Sequence, residues 1–126
     1  MRDLALGVAL VAALMIIVIG ILYLATPRSA ARSFGLPLPE PGPHIPWWLR
    51  LKGVRDCASG LAVLALLAAA PSTQLGLVLL IFALIPIGDM TVILAARGSR
   101  AHAFGMHGAT ALLMLAAAVP LALGRI

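Results

Sequence analysis

Charged side chains are scarce. They make up 10% of the 126 residues, where a soluble domain carries about a quarter. So few cannot cover a water-facing surface, which excludes a soluble globular fold. Acidic residues are scarcer still, since Asp3, Glu40, Asp56 and Asp89 are the whole set. The resulting formal net charge of +5 comes from basic residues standing singly between apolar runs. Without a basic stripe there is no nucleic-acid-binding face. Cys57 is the one cysteine, so an intrachain disulfide, a CxxC redox pair and a cysteine zinc cluster are all excluded. No segment recurs with a period of about 20–50 residues, which excludes a repeat architecture.

What is present is hydrophobicity, at 63% of residues with a mean hydropathy of +1.12. A helix needs about 20 apolar residues to cross the hydrocarbon core. The chain therefore suits one domain over residues 1–126 with four crossings, at about 4–25, 47–70, 75–96 and 103–123. The expected fold class is all-α, a four-transmembrane-helix bundle with a long Pro-rich loop between helices one and two. The uncharged run Leu4–Ala25 exceeds a signal-peptide h-region of about 7–15 residues, so it reads as a spanning helix. Tyr23 then serves as an interfacial anchor and Pro27 as a stop. The connection Thr26–Pro46 holds six of the nine prolines and cannot be one helix. Thr26-Pro27 resembles a cap with an N1 proline and Gly35 a helix end, which predicts a short interfacial helix over Arg28–Phe34.

The stretch WWLRLKGVRDCASG heads the second crossing. Its uncharged continuation, Cys57–Ala70, has 14 residues, or about 21 Å of helix against a core about 30 Å thick. To span, the helix must start near Trp47–Arg50, with the tryptophans in the interfacial belt, and it then draws Arg55 and Asp56 below the headgroups. At about 100° per residue, Lys52, Arg55, Asp56 and Ser59 share one face. Gly53, Cys57 and Gly60 form an adjacent stripe of small residues that admits a closely packed helix.

Depth brings other residues to the same level. Asp56 lies eight residues past Trp48, Asp89 eight before Arg97 and His107 seven past Arg100, each about 10–12 Å into the bilayer from one side. Ionisable groups at such depth are costly and usually face a bundle interior, so a cluster of Lys52, Arg55, Asp56, Asp89 and His107 is expected. Pro86 leaves the Phe82 carbonyl without its helical partner and is expected to kink the helix before Asp89. Asp89, His107 and Asp56 are the candidate catalytic residues, and Lys52, Arg55, Ser59 and Thr110 the candidate substrate-binding ones. No metal is expected there, because two adjacent cations repel a divalent ion, and no cofactor is implied.

The blocks PRSAARSFGLP, LKGVRDCASGL, IPIGDM and AFGMHGATALLML together resemble the domain of unknown function 4267 family, small four-helix membrane proteins of bacteria and fungi similar to DoxX-like proteins. The resemblance covers nearly the whole chain. It implies a four-helix bundle in a bacterial inner membrane and supplies no activity. Its most specific pieces, Lys52–Asp56, Pro86–Asp89 and His107–Thr110, hold most of the residues selected by depth.

Three uses of the cluster stay open at this level. A small lipophilic ligand could be bound or converted by proton transfer, with Asp89 and His107 moving the proton and Arg55 and Lys52 stabilising negative charge, as in an isomerase or cyclase. A proton-coupled transporter or carrier would use the same pair as a relay. A structural or accessory subunit would use the charges only as an ion-pair network. The lipid bilayer is the expected partner, and a homo-oligomer stays open.

Positive charges gather in the first and third connections, at Arg28, Arg32, Arg50 and Lys52 and at Arg97 and Arg100. The positive-inside rule places both connections in the cytoplasm and both termini outside. In a Cys57→Ala background, a membrane-impermeant thiol reagent on intact cells is expected to leave Ser99→Cys unlabelled. Labelling from outside would reverse the orientation.

Overall fold

The computed structural model describes residues 1–125, so Ile126, the last residue of the expected domain, lies outside the described residues. The described residues form helices α1 (Arg2–Ala25), α2 (Pro27–Arg32), α3 (Ile45–Ala69), α4 (Ser72–Phe82), α5 (Leu84–Ala95), α6 (Arg100–His102) and α7 (Ala109–Ala122), with a π-helical segment over Ala103–Gly108 joining the last two. No strand occurs among them. Three stretches are long and apolar enough to cross a membrane: Arg2–Ala25, Ser72–Ala95 and Arg100–Ala122. Helix α3, at 25 residues, has the length but carries Arg50, Lys52, Arg55 and Asp56.

The elements follow local chemistry. Thr26 is the N-cap of α2 with Pro27 at its first turn, and the Thr26 hydroxyl donates back to the Leu22 carbonyl at 3.2 Å rather than capping forward. Helix α2 stops at Arg32, two residues short of the expected Phe34, because Ser33 and Phe34 close turns onto Ala30 and Ala31. Gly35 follows with φ +103, a left-handed conformation that favours glycine.

The expected continuous helix over 75–96 is two helices instead. The break falls at Ala83, three residues before Pro86, whose missing N–H and bulky ring disturb the preceding turn. Helix α5 ends in a Schellman arrangement: the Gly98 N–H donates to Ile93 O and the Arg97 N–H to Leu94 O. Arg97 takes φ 55 at the position where glycine is usual. The expected helix over 103–123 starts at Arg100 and passes through a π turn before α7.

The core is built of small residues. Ala5, Ala9 and Ala13 of α1 meet Val63 of α3, Leu75 and Leu79 of α4, and Ala117, Ala118 and Leu121 of α7 in one buried cluster. Large apolar side chains point outward, among them Leu14, Val18 and Ile21 on α1, Ile81 on α4 and Leu112 on α7. Alanine inside and leucine outside inverts the soluble pattern and suits lipid, where close backbone approach rather than apolar burial drives packing. The expected stripe on α3 meets α1: a Cβ on Gly53 would lie 2.7 Å from Gly20 O, and one on Gly60 2.7 Å from Ala13 O. Between them the Cys57 thiol donates to Ile17 O at 3.8 Å.

Helices α4 and α7 meet as closely, since a Cβ on Gly76 would stand 2.8 Å from Ala122 Cα. Gly76→Ala is therefore expected to cost about 1–3 kcal/mol of stability by overpacking. Gly7→Ala, where nothing lies within 4 Å, is expected to be neutral or slightly stabilising. Melting of both variants in detergent checks the contrast; equal melting temperatures would remove the close-contact account.

Candidate functional site

Helix α3 turns one stripe inward, Gly53, Asp56, Gly60 and Val63, because only its glycines let α1 approach. That rotation buries Asp56, at 7% exposure the only charged residue in the core among the described residues. One turn earlier on the same helix, Lys52 reaches it, with Nζ 2.5 Å from Oδ2. The ammonium also stands 4.8 Å from the Tyr23 ring centroid and 5.2 Å from that of Phe34, within cation–π range of both. Tyr23, expected at the interface as an anchor, is instead 3% exposed and forms a wall beside Lys52. The reason is again the α1–α3 contact, which turns that side of α1 inward.

A second pair adjoins the first. His107 Nδ1 lies 3.5 Å from Asp89 Oδ2, joining the π-helical segment to α5. The other imidazole nitrogen, Nε2, is 3.1 Å from the Phe34 carbonyl oxygen. The Phe34 and His107 rings meet edge to face, 4.7 Å apart at 64°. Phe34 links the two pairs, since its ring lies 5.2 Å from Lys52 Nζ and its carbonyl 3.1 Å from His107 Nε2.

The two ring nitrogens of His107 have different partners. A carbonyl only accepts, so Nε2 carries a hydrogen and donates it to Phe34. A bare Nδ1 facing a carboxylate would place two acceptors opposite each other. At 3.5 Å the Nδ1–Oδ2 contact has an ion-pair distance and is too long for a good hydrogen bond. One ring nitrogen of His107 is thus occupied by the Phe34 carbonyl, and the other faces the Asp89 carboxylate.

The π turn carries His107. Within it the Ala109 N–H reaches back to Phe104 O, and Gly105 and Gly108 flank the histidine. A Cβ on Gly108 would stand 3.2 Å from the Met90 sulfur, so glycine there lets the segment approach α5. Such one-turn widenings recur at functional positions.

Of the seven candidate site residues, Lys52, Asp56, Asp89 and His107 come together, while Arg55 of the expected cluster and the candidates Ser59 and Thr110 do not. Arg55 points about 120° away from the buried stripe and is exposed. The Ser59 hydroxyl donates to the Arg55 carbonyl of its own helix at 2.9 Å. Thr110, one turn beyond His107, is exposed. Phe34 was absent from the expected set although its ring and carbonyl complete the site. Its signal was the aromatic beside Gly35 in SFGLP, and the fold was needed to bring it to His107.

A family model described as a domain of unknown function, DUF4267, matches residues 13–121. The chain belongs to this family. The match takes in every residue of the DUF4267 site, from Tyr23 to His107. No curated protein and no solved structure matches the chain.

The Lys52–Asp56 pair gives a direct expectation for this DUF4267 protein. Lys52→Met leaves the buried Asp56 carboxylate uncompensated and is expected to destabilise by about 3–5 kcal/mol, whereas Lys52→Met with Asp56→Leu recovers most of the loss. Detergent melting of the two single variants and the double variant measures the coupling. Additive losses would show that the pair does not act as a unit.

Proposed function

We propose that the protein crosses the membrane four times, by α1, by α3, by α4 with α5, and by α6 through α7, as a helix bundle in a bacterial inner membrane with both termini outside. At about 1.5 Å per residue, α3 is long enough for a crossing, and the exposed Trp47 and Trp48 at its start suit an interfacial belt. The same layout supports kinship with DoxX-like four-helix proteins.

We further propose that the Asp89–His107 pair binds a small lipophilic molecule and exchanges a proton with it. The observation that carries this reading is a carboxylate that faces an imidazole and stays reachable: Asp89 lies 3.5 Å from His107 Nδ1 and its side chain is 29% exposed, against 9% for Asp56. Asp56 serves as the buried partner of Lys52, and Asp89 as the group that meets the molecule. His107 holds the partner proton, and Lys52 offsets negative charge developing on the bound molecule, as an isomerase or cyclase requires. If the molecule crosses the membrane unchanged while the proton moves, the same pair serves a carrier.

A structural role is the second reading. It is favoured by the direct partners that both carboxylates already have, Lys52 for Asp56 and His107 for Asp89. Asp89→Asn and His107→Gln separate the two. Under the ligand reading both variants fold, and the lipophilic compound recovered by mass spectrometry from purified protein falls at least about tenfold, the effect of losing one charge-assisted hydrogen bond. Retained ligand with only a lowered melting temperature would leave the charges as a packing device.

A further inference from the structure

We propose that the groove between α2 and the proline-rich loop after it is a headgroup site for a phospholipid bearing a primary ammonium, of the phosphoethanolamine type. The groove has a volume of about 390 Å³ and is lined by Arg28, Arg32, Leu38, Glu40, Ile45 and Leu49 among others. This is within the range of about 300–1,000 Å³ usual for small-molecule sites. None of its lining residues belongs to the Asp89–His107 site.

The charges there are arranged for a ligand with two poles. Arg28 and Arg32 stand one turn apart on α2 and so project side by side, a spacing at which two guanidinium groups hold one phosphate. Arg28 Nη2 donates to the Gly42 carbonyl at 2.9 Å, which ties the loop back across the groove. One of its five N–H donors is used this way, and the others remain for a ligand. Glu40, the chain's only glutamate, is on the loop so held. Among the described residues the ion pairs are Lys52–Asp56 and His107–Asp89, so neither arginine nor Glu40 is neutralised by a neighbour.

Two cations beside one anion match a phosphate joined to an ammonium. A head carrying only negative charge meets the Glu40 carboxylate, and a quaternary ammonium has no N–H to donate to it. The groove's position selects a lipid over a soluble phosphate compound. Helix α2 begins two residues after the apolar α1 ends, α3 begins at the same end with exposed Trp47 and Trp48, and Leu38, Ile45 and Leu49 continue the groove as an apolar wall for an acyl chain.

Native mass spectrometry of the detergent-purified protein, titrated with phosphatidylethanolamine, phosphatidylcholine, phosphatidylglycerol and inorganic phosphate, tests this. The wild type is expected to retain phosphatidylethanolamine about tenfold better than either other lipid, the worth of one charge-assisted hydrogen bond. Glu40→Gln is expected to abolish the preference over phosphatidylcholine, and Arg32→Gln to weaken all three lipids. Both side chains are exposed, so melting temperatures should not change. Equal retention of the three lipids by the wild type overturns the proposal, as does displacement of phosphatidylethanolamine by inorganic phosphate, which would mark a free-phosphate site. The rationale assumes that the chain is embedded in a membrane but not that Asp89 binds a lipophile. Asp89→Asn is therefore expected to keep the lipid preference, so this proposal and the ligand reading can fail separately.

Discussion

Where α1 crosses α3, the carbonyl oxygens of Gly20 and Ala13 occupy the space that side chains on Gly53 and Gly60 would fill. In lipid, apolar surface gains little by leaving one helix for another, so association rests on dispersion contacts between closely approaching backbones. That contact sets the rotation of both helices. With Gly53 and Gly60 facing α1, Asp56 must also face inward, and with Gly20 facing α3, Tyr23 is carried to the same side. A buried carboxylate then needs a cation, and Lys52 is the neighbour one turn away. The site is in this sense a by-product of glycine packing.

A buried pair of opposite charges loses hydration that its attraction only partly restores. Here the ammonium gains two aromatic faces in addition to its carboxylate, from Tyr23 and Phe34. Phe34 also orients the His107 ring, with its carbonyl oxygen 3.1 Å from Nε2. One loop residue thus touches both charge pairs.

The loop itself is held by backbone. The Ser99 N–H donates to the Gly35 carbonyl at 2.8 Å, joining the α2–α3 connection to the α5–α6 connection. A Cβ on Gly98 would run into that same carbonyl, and one on Gly35 would lie 2.7 Å from His102 Cβ. The connection after Arg28 and Arg32 and the one holding Arg97 therefore lie at the same end of the molecule, as charge bias alone suggests. The left-handed Arg97 ahead of Gly98 is part of this joint, because it turns the chain so that Ser99 presents its N–H to the loop.

Much of this was legible in the amino-acid sequence. Long apolar runs, scarce charge and the proline-rich connection sufficed for the helical class and the element order, because hydropathy and proline act locally. Helical rise alone led to the expectation that Asp56, Asp89 and His107 share one level. Rotation about each helix axis was beyond it: Arg55 and Ser59 share a face with Lys52 by periodicity, yet α1 accepts only the glycine stripe beside them, and Arg55 is left outside. The break at Ala83 and the π turn at His107 depend on competing hydrogen bonds that a residue pattern does not rank. Phe34 reaches His107 across a sequence separation of 73, a contact that no local period encodes. The sequence by itself determined which residues are too polar for lipid and how far along each helix they stand, since both follow from composition and helical rise. The tertiary structure decided which of them meet, since that depends on how closely two backbones can approach and which faces this turns inward.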